Sequence, residues 1–236
     1  GIECGADEVT IVPGGKPTMF YAMLALIDVG DEVIYPNPGF PIYESMINFV
    51  NGKAVACPLR EVNGFALDPQ DLISRITPKT KMVILNSPAN PTGGVTERAE
   101  LEAVLKVLKD YPDIWILSDE IYARMLYDGI EHVSPMQDPE IRDRVILLDG
   151  WSKTYAMTGW RMGFGVMRPD LAKSFTKLMV NSNSCTASFS QRAGMEALAG
   201  DQSGVDAMLS EFDVRRKHMV NLLNDIPGVD CHLPVG

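Results

Sequence analysis

Four short stretches hold residue types whose chemistry is incomplete within the chain. "SKTYAMTGWR" (152–161) carries Lys153 and Arg161 eight residues apart with no acid between them. A lysine packed among apolar walls and other cations becomes a nucleophilic amine, and the planar fork of arginine matches a phosphate. The intervening "AMTGW" is too apolar for an ordinary surface loop. "SDEIY" (118–122) puts Asp119 at the end of an apolar run, where a carboxylate is costly unless a cation pairs with it, and Tyr122 three residues on. Taken alone, an Asp in this place is more often a helix N-cap. "NSPANPTGG" (86–94) is turn chemistry in which Pro88 and Pro91 hold Asn90 rigidly, ready to hydrogen-bond a ligand oxygen. In "GGKPT" (14–18), Gly14 and Gly15 allow close backbone approach. The N–H groups of Gly15 and Lys16 could then bind an anion, although a plain tight turn has the same look. Phe40 in "NPGFPIYE" is either a core residue or a ring that stacks on something flat.

These stretches must be positioned by regular elements. Seven β-branched or apolar runs stand out, at 8–12, 31–36, 53–59, 81–88, 114–120, 144–150 and 161–167. Several are apolar at consecutive positions, the pattern of strands covered on both faces. Helical patterns lie between most of them. One is 18–28. Another is 68–76, with Asp68 as N-cap and Pro69 in the first turn. A third is 97–109, with Leu101, Val104, Leu105 and Leu108 on one face and Thr96 as the expected cap. From about 170 the pattern is helical, with a long helix expected through 205–225. Alternating strands and helices predict an α/β fold, a mostly parallel seven-stranded sheet with helices on both faces. Ligands of such sheets sit beyond the carboxyl ends of the strands, and the polar stretches fall at one such edge.

Composition narrows the function. The chain has 236 residues and a formal net charge of -10, with no basic face to suggest nucleic acid. Its longest apolar run, at 19–27, is too short to span a bilayer. Cys4, Cys57, Cys185 and Cys231 lack CxxC spacing, as expected of reduced thiols in a cytoplasmic protein. The three histidines have no metal-ligand spacing, and no GxSxG, Walker loop or GxGxxG is present. "SFTK" (174–177) matches an SxxK nucleophile motif but lacks its SDN and KTG partners. The abrupt start at "GIECGADEV" and end at "HLPVG" suggest a piece of a longer protein.

"NSPANPTGG", "SDEIYARMLYDG" and "SKTYAMTGWRMG", in that order after "GGK", closely resemble the class I/II aminotransferases of the aspartate aminotransferase fold, which are fold type I pyridoxal-phosphate enzymes. The resemblance runs over nearly the whole chain. It implies a large domain at 1–225 with a mixed seven-stranded sheet, the start of a C-terminal small domain at 226–236, and a homodimer with its active site at the subunit interface. It implies that Lys153 forms the Schiff base with the aldehyde of pyridoxal 5'-phosphate and shuttles the proton at the substrate α-carbon. Asp119 is expected to pair with the pyridine nitrogen, Tyr122 and Asn90 to bond the ring's phenolic oxygen, and Phe40 to stack on the ring. Gly15, Lys16, Ser152 and Arg161 are expected to hold the phosphate. The substrates would be an amino acid, aspartate-like or other, and a 2-oxo acid. Two departures stand out. Gly150 replaces the serine many members carry three residues before the lysine, and the family's substrate-carboxylate arginine would fall beyond residue 236. A lyase of the same fold, a non-catalytic sensing domain of a transcription regulator, and an inactive truncated chain are the alternatives.

Overall fold

In the computed structural model, which describes residues 2–236, the seven expected strands all form. They are β1 (Val9–Val12), β2 (Glu32–Asn37), β3 (Lys53–Pro58), β4 (Thr80–Asn86), β5 (Trp115–Asp119), β6 (Val145–Gly150) and β7 (Gly163–Val166). They make one sheet in the order β1-β7-β6-β5-β4-β2-β3. All pairings are parallel except those of β7, which runs antiparallel to both β1 and β6.

Consecutive apolar residues are explained by two cores, one on each face. Val33, Met82, Ile84, Leu117, Ile146 and Leu148 point to one side, where α1 (Lys16–Leu26), α2 (Ile42–Phe49) and α5 (Pro169–Ser182) cover them. Their strand neighbours Ile34, Val83, Leu85, Ile116, Val145 and Leu147 point to the other, under α3 (Pro69–Ile73) and α4 (Arg98–Leu108). The period of two along each strand sends alternate side chains to opposite layers. Two further helices, α6 (Ser188–Ala199) and α7 (Ser203–Asn224), follow α5. Beyond α7, residues 226–236 run without helix or strand back to the sheet edge, where Val235 accepts a bond from the Tyr127 N–H and Gly236 donates to Gly93.

Local signals hold with two exceptions. Asp68 caps α3 as expected, accepting from the N–H groups of Gln70 and Asp71. Thr96 does not cap α4. Its backbone N–H is held by Ser87 Oγ at 2.9 Å, which ties it to the preceding loop, and Glu97 stands at the N-cap without a side-chain bond. Helix α2 was not anticipated. It is eight residues long and hidden among Gly and Pro, yet Tyr43, Met46 and Ile47 give it a buried stripe.

Candidate active site

The edge that holds the polar stretches is fixed by strand direction. β1, β4, β5 and β6 run toward it, and antiparallel β7 starts from it, so Arg161 lies beside residues that follow the other strands. There a cavity of about 150 Å³ is lined by Gly15, Lys16, Phe40, Asn90, Asp119, Tyr122, Ser152, Lys153 and Arg161. Every candidate site residue of the sequence reaches this one space.

Asp119 is the buried charge of the site, with 3% of its surface exposed. Burial pushes its carboxyl up to about 6, against the hydrogen bonds of Tyr43 and Ile121 and the charge of Lys153, which pull it down. The Tyr43 hydroxyl donates to Oδ2 at 2.7 Å, and the Ile121 N–H donates to Oδ1 at 3.3 Å. The second bond makes Asp119 the start of a turn; no helix follows, so the helix-cap reading does not hold. Burial and the adjacent Asp119 hold the Tyr43 phenol well above its usual range, which keeps it protonated and donating.

Three cations line the same cavity. The Arg161 guanidinium donates to the carbonyls of Thr158 (2.8 Å) and Pro13 (3.4 Å) and to no carboxylate among the described residues. Its backbone is left-handed (φ 52°, ψ 61°), a costly conformation for arginine that recurs at functional sites. Gly14, itself at φ +86°, makes room for it, because a Cβ there would land on the guanidinium. Lys16 Nζ lies 5.5 Å from the centre of the Phe40 ring, and Lys153 Nζ lies 5.5 Å from that of Tyr122. Gly15 and Lys16, at the start of α1, leave their N–H groups without a protein acceptor among the described residues. Free N–H groups at a helix start and the guanidinium of Arg161 line the same cavity, and such groups bind an anion.

Gly150 has a steric cause. A Cβ there would come within 2.8 Å of the Gly163 Cα and 2.9 Å of the Met162 carbonyl, so the close packing of β6 on β7 excludes a side chain. Sequence reading missed two supporting residues. Asn86 donates from Nδ2 to the carbonyls of Pro88 (3.2 Å) and Asp119 (3.1 Å) and accepts the Asn90 N–H (2.9 Å), so it joins the ends of β4 and β5 and orients Asn90. Tyr43 is 76 positions from the carboxylate it serves. Asn86 stood within the quoted "NSPANPTGG"; for Tyr43 the sequence carried no signal.

A mostly parallel α/β sheet with a lysine, a buried carboxylate and an anion cradle at its carboxyl edge defines the class of fold. Comparison with known proteins defines the family. The family model for aminotransferase class I and II matches residues 1–235, and the chain belongs to that family. It is 38% identical over 237 aligned residues to an aspartate aminotransferase of Rhizobium meliloti, covering all of this chain and 58% of that protein. An aspartate/prephenate aminotransferase of Cereibacter sphaeroides is 37% identical, with 59% of its length covered. Among solved structures, the R. meliloti aspartate aminotransferase superposes with a TM-score of 0.94 at 39% identity, over 98% of this chain and 58% of that one. The aromatic aminotransferase of Pyrococcus horikoshii superposes with a TM-score of 0.96 at 32% identity, over 100% and 63%. The chain thus spans about three fifths of the length of these relatives. Enzymes of the family use pyridoxal 5'-phosphate.

Proposed function

We propose that the protein to which this chain belongs is a pyridoxal-phosphate-dependent aminotransferase moving an amino group between an amino acid and a 2-oxo acid. The observation that carries this reading is the convergence of Lys153, Asp119 and Arg161 on one cavity from β6, β5 and the entry to β7. The residues fit the cofactor group by group. The cradle of Gly15, Lys16, Ser152 and Arg161 lacks a protein anion among the described residues, and a phosphate supplies one. Asp119 is buried with two donors and, among the described residues, no cation in an ion pair, and a protonated ring nitrogen supplies one. Phe40 offers its ring as a flat wall.

The cofactor, when bound, supplies an electron sink for the charge left when the substrate α-carbon loses its proton. The chain's residues do the rest. Lys153 Nζ would hold the cofactor's aldehyde carbon, and the same amine would carry the proton from the substrate α-carbon to that cofactor carbon. Asp119 keeps the ring nitrogen protonated by offering a desolvated negative charge. Tyr43 keeps that carboxylate aimed and lowers the cost of its ionisation. Tyr122 and Asn90 bond the ring's phenolic oxygen. Arg161, with the N–H groups of Gly15 and Lys16, fixes the phosphate, so the reacting amine is held in one geometry.

The aspartate in the relatives' names supports an aspartate-like donor, and the same names favour transamination over a lyase reaction. Residues 1–225 are proposed as the large domain and 226–236 as the start of the small one. The exposed Phe189, Met195 and Leu198 of α6 support a homodimer. Four unpaired thiols support a cytoplasmic setting, and no helix among the described residues is long and apolar enough to cross a membrane. The test is borohydride reduction of the full-length protein after incubation with pyridoxal phosphate, followed by peptide mapping. The pyridoxyl group is expected on Lys153 alone. Label spread over surface lysines would sink the reading.

A further inference from the structure

Immediately after Asp119 comes a second buried carboxylate that the proposed chemistry does not use. Glu120 is 4% exposed, stands just past the end of β5, and does not line the cavity; its carboxylate is engaged by other side chains. It accepts three hydrogen bonds. Ser118 Oγ (2.8 Å) and Ser134 Oγ (2.6 Å) donate to Oε1, and His132 Nε2 donates to Oε2 at 2.7 Å. Two of those partners lie 12 and 14 residues further along the chain. The segment between them has neither helix nor strand, and it carries Tyr122. Glu120 also begins the turn that presents Tyr122. Its N–H donates to the Leu148 carbonyl of β6 at 2.8 Å, its carbonyl accepts the Ala123 N–H at 2.8 Å, and the Met125 N–H then bonds to the Tyr122 carbonyl at 2.7 Å.

We infer that Glu120 is a positioning residue for Tyr122: its carboxylate clasps the two ends of the 121–133 loop together and so fixes where the phenol stands at the cavity. A filler of the core would be apolar, because an apolar side chain of similar size packs as well without desolvating a charge. A fully bonded buried carboxylate instead selects one arrangement of the groups around it. The middle of the loop has its own anchor, since Arg216 of α7 holds Asp128 through two bonds of 2.8 and 2.9 Å. Between the clasp and this anchor the short stretch bearing Tyr122 has little freedom, and the ring is placed before any ligand arrives.

The inference rests on the role given to Tyr122 above, and the experiment separates the two. In full-length protein, Glu120→Leu deletes the clasp while keeping bulk, Glu120→Gln keeps an acceptor for the two serines, and Tyr122→Phe is the reference. Amide hydrogen exchange on cofactor-free protein should rise about 10-fold within 121–134 for Glu120→Leu, with partial recovery in Glu120→Gln and little change in β4 or α1. With pyridoxal phosphate bound, the pH midpoint of its visible absorbance should move in Glu120→Leu as it does in Tyr122→Phe. The double variant should move no further than Tyr122→Phe alone. Unchanged exchange in 121–134, or additive midpoint shifts, would overturn the inference. A midpoint unmoved by Tyr122→Phe would sink the role of Tyr122, and the exchange result would then decide the clasp by itself. Should Glu120→Leu fail to fold, Ser134→Ala removes one bond of the clasp, and unchanged loop exchange in that variant would equally overturn it.

Discussion

Replacing Asp119 with Asn should stabilise the cofactor-free protein at alkaline pH while disabling it as an enzyme. Burial raises the Asp119 carboxyl from an ordinary 3.8 to about 6. The folded state therefore holds its proton more tightly than the unfolded chain does. The stability this lends is full below pH 3.8 and is lost as pH rises through about 6; above that, the ionised group costs the fold roughly 3 kcal/mol. Asp119→Asn removes this titration. The new amide oxygen can still accept from Tyr43, but the NH₂ then faces the Ile121 N–H that donates to Oδ1 in the wild type, a pH-independent loss of about 1 kcal/mol. Asp149, pushed to about 7 first by burial and further by the charges of Glu120 and Asp119, titrates in both proteins; losing the Asp119 charge eases its ionisation in the variant and adds to the variant's gain at pH 8. Urea unfolding of full-length, cofactor-free wild type and variant at pH 4 and pH 8 measures the effect. The variant should gain roughly 2–3 kcal/mol relative to wild type between the two pH values. Tyr43→Phe, which removes a bond that favours the ionised form, should move the window to higher pH. With the cofactor bound the sign reverses, since the carboxylate then has a cationic partner, and turnover of Asp119→Asn should fall by several powers of ten, about 1.4 kcal/mol for each. A stability difference that stays flat with pH would refute the claim that Asp119 is a desolvated charge awaiting its counterpart.

Arg161→Lys should weaken pyridoxal-phosphate affinity by roughly 10- to 100-fold, read by fluorescence titration, because a point charge replaces a bidentate fork. Gly14→Ala should weaken it too, since the new methyl displaces the guanidinium and the backbone there is left-handed. Trp151→Phe keeps an aromatic ring against Phe164 but loses the 2.9 Å bond from Nε1 to the Gly194 carbonyl. Thermal unfolding should register about 1 kcal/mol of lost stability. Cys57, buried and pushed up to about 11 by that burial, should resist alkylation of the native protein at pH 8, whereas the exposed Cys4 and Cys185 react; mass spectrometry of the labelled peptides decides it.

Strands were legible in the sequence because burial on both faces writes an uninterrupted apolar run, and all seven fall close to their expected positions. The site was legible for a related reason. A parallel sheet gathers the residues beyond its strands at one edge, so Asp119, Lys153 and Asn90 could be associated without knowing a single contact. What escaped was whatever depends on a distant partner. Thr96 has the right side chain to cap α4, but the helix starts one residue later than expected, with Glu97 at the N-cap and Thr96 tied by its N–H to Ser87. Tyr43 looks like any buried aromatic of a short helix until the fold brings its hydroxyl to Asp119.

The same limit explains why Glu120 passed unnoticed beside Asp119. Two adjacent acids at a strand end look like one polar patch, yet Asp119 lines the cavity while Glu120 bonds Ser118, His132 and Ser134 away from it. Asp119 faces the cavity with its charge underpaired, a state that costs stability and suits a cationic ligand. Glu120 faces away with three donors on its carboxylate, which makes its burial tolerable and stiffens the loop that begins there. The bond from the Glu120 N–H to Leu148 joins this pair to β6, two residues before the chain leaves the sheet toward Lys153. The last residue of β5 is thus the group left open for a ligand, and the first residue beyond it is the group that holds the surrounding wall still.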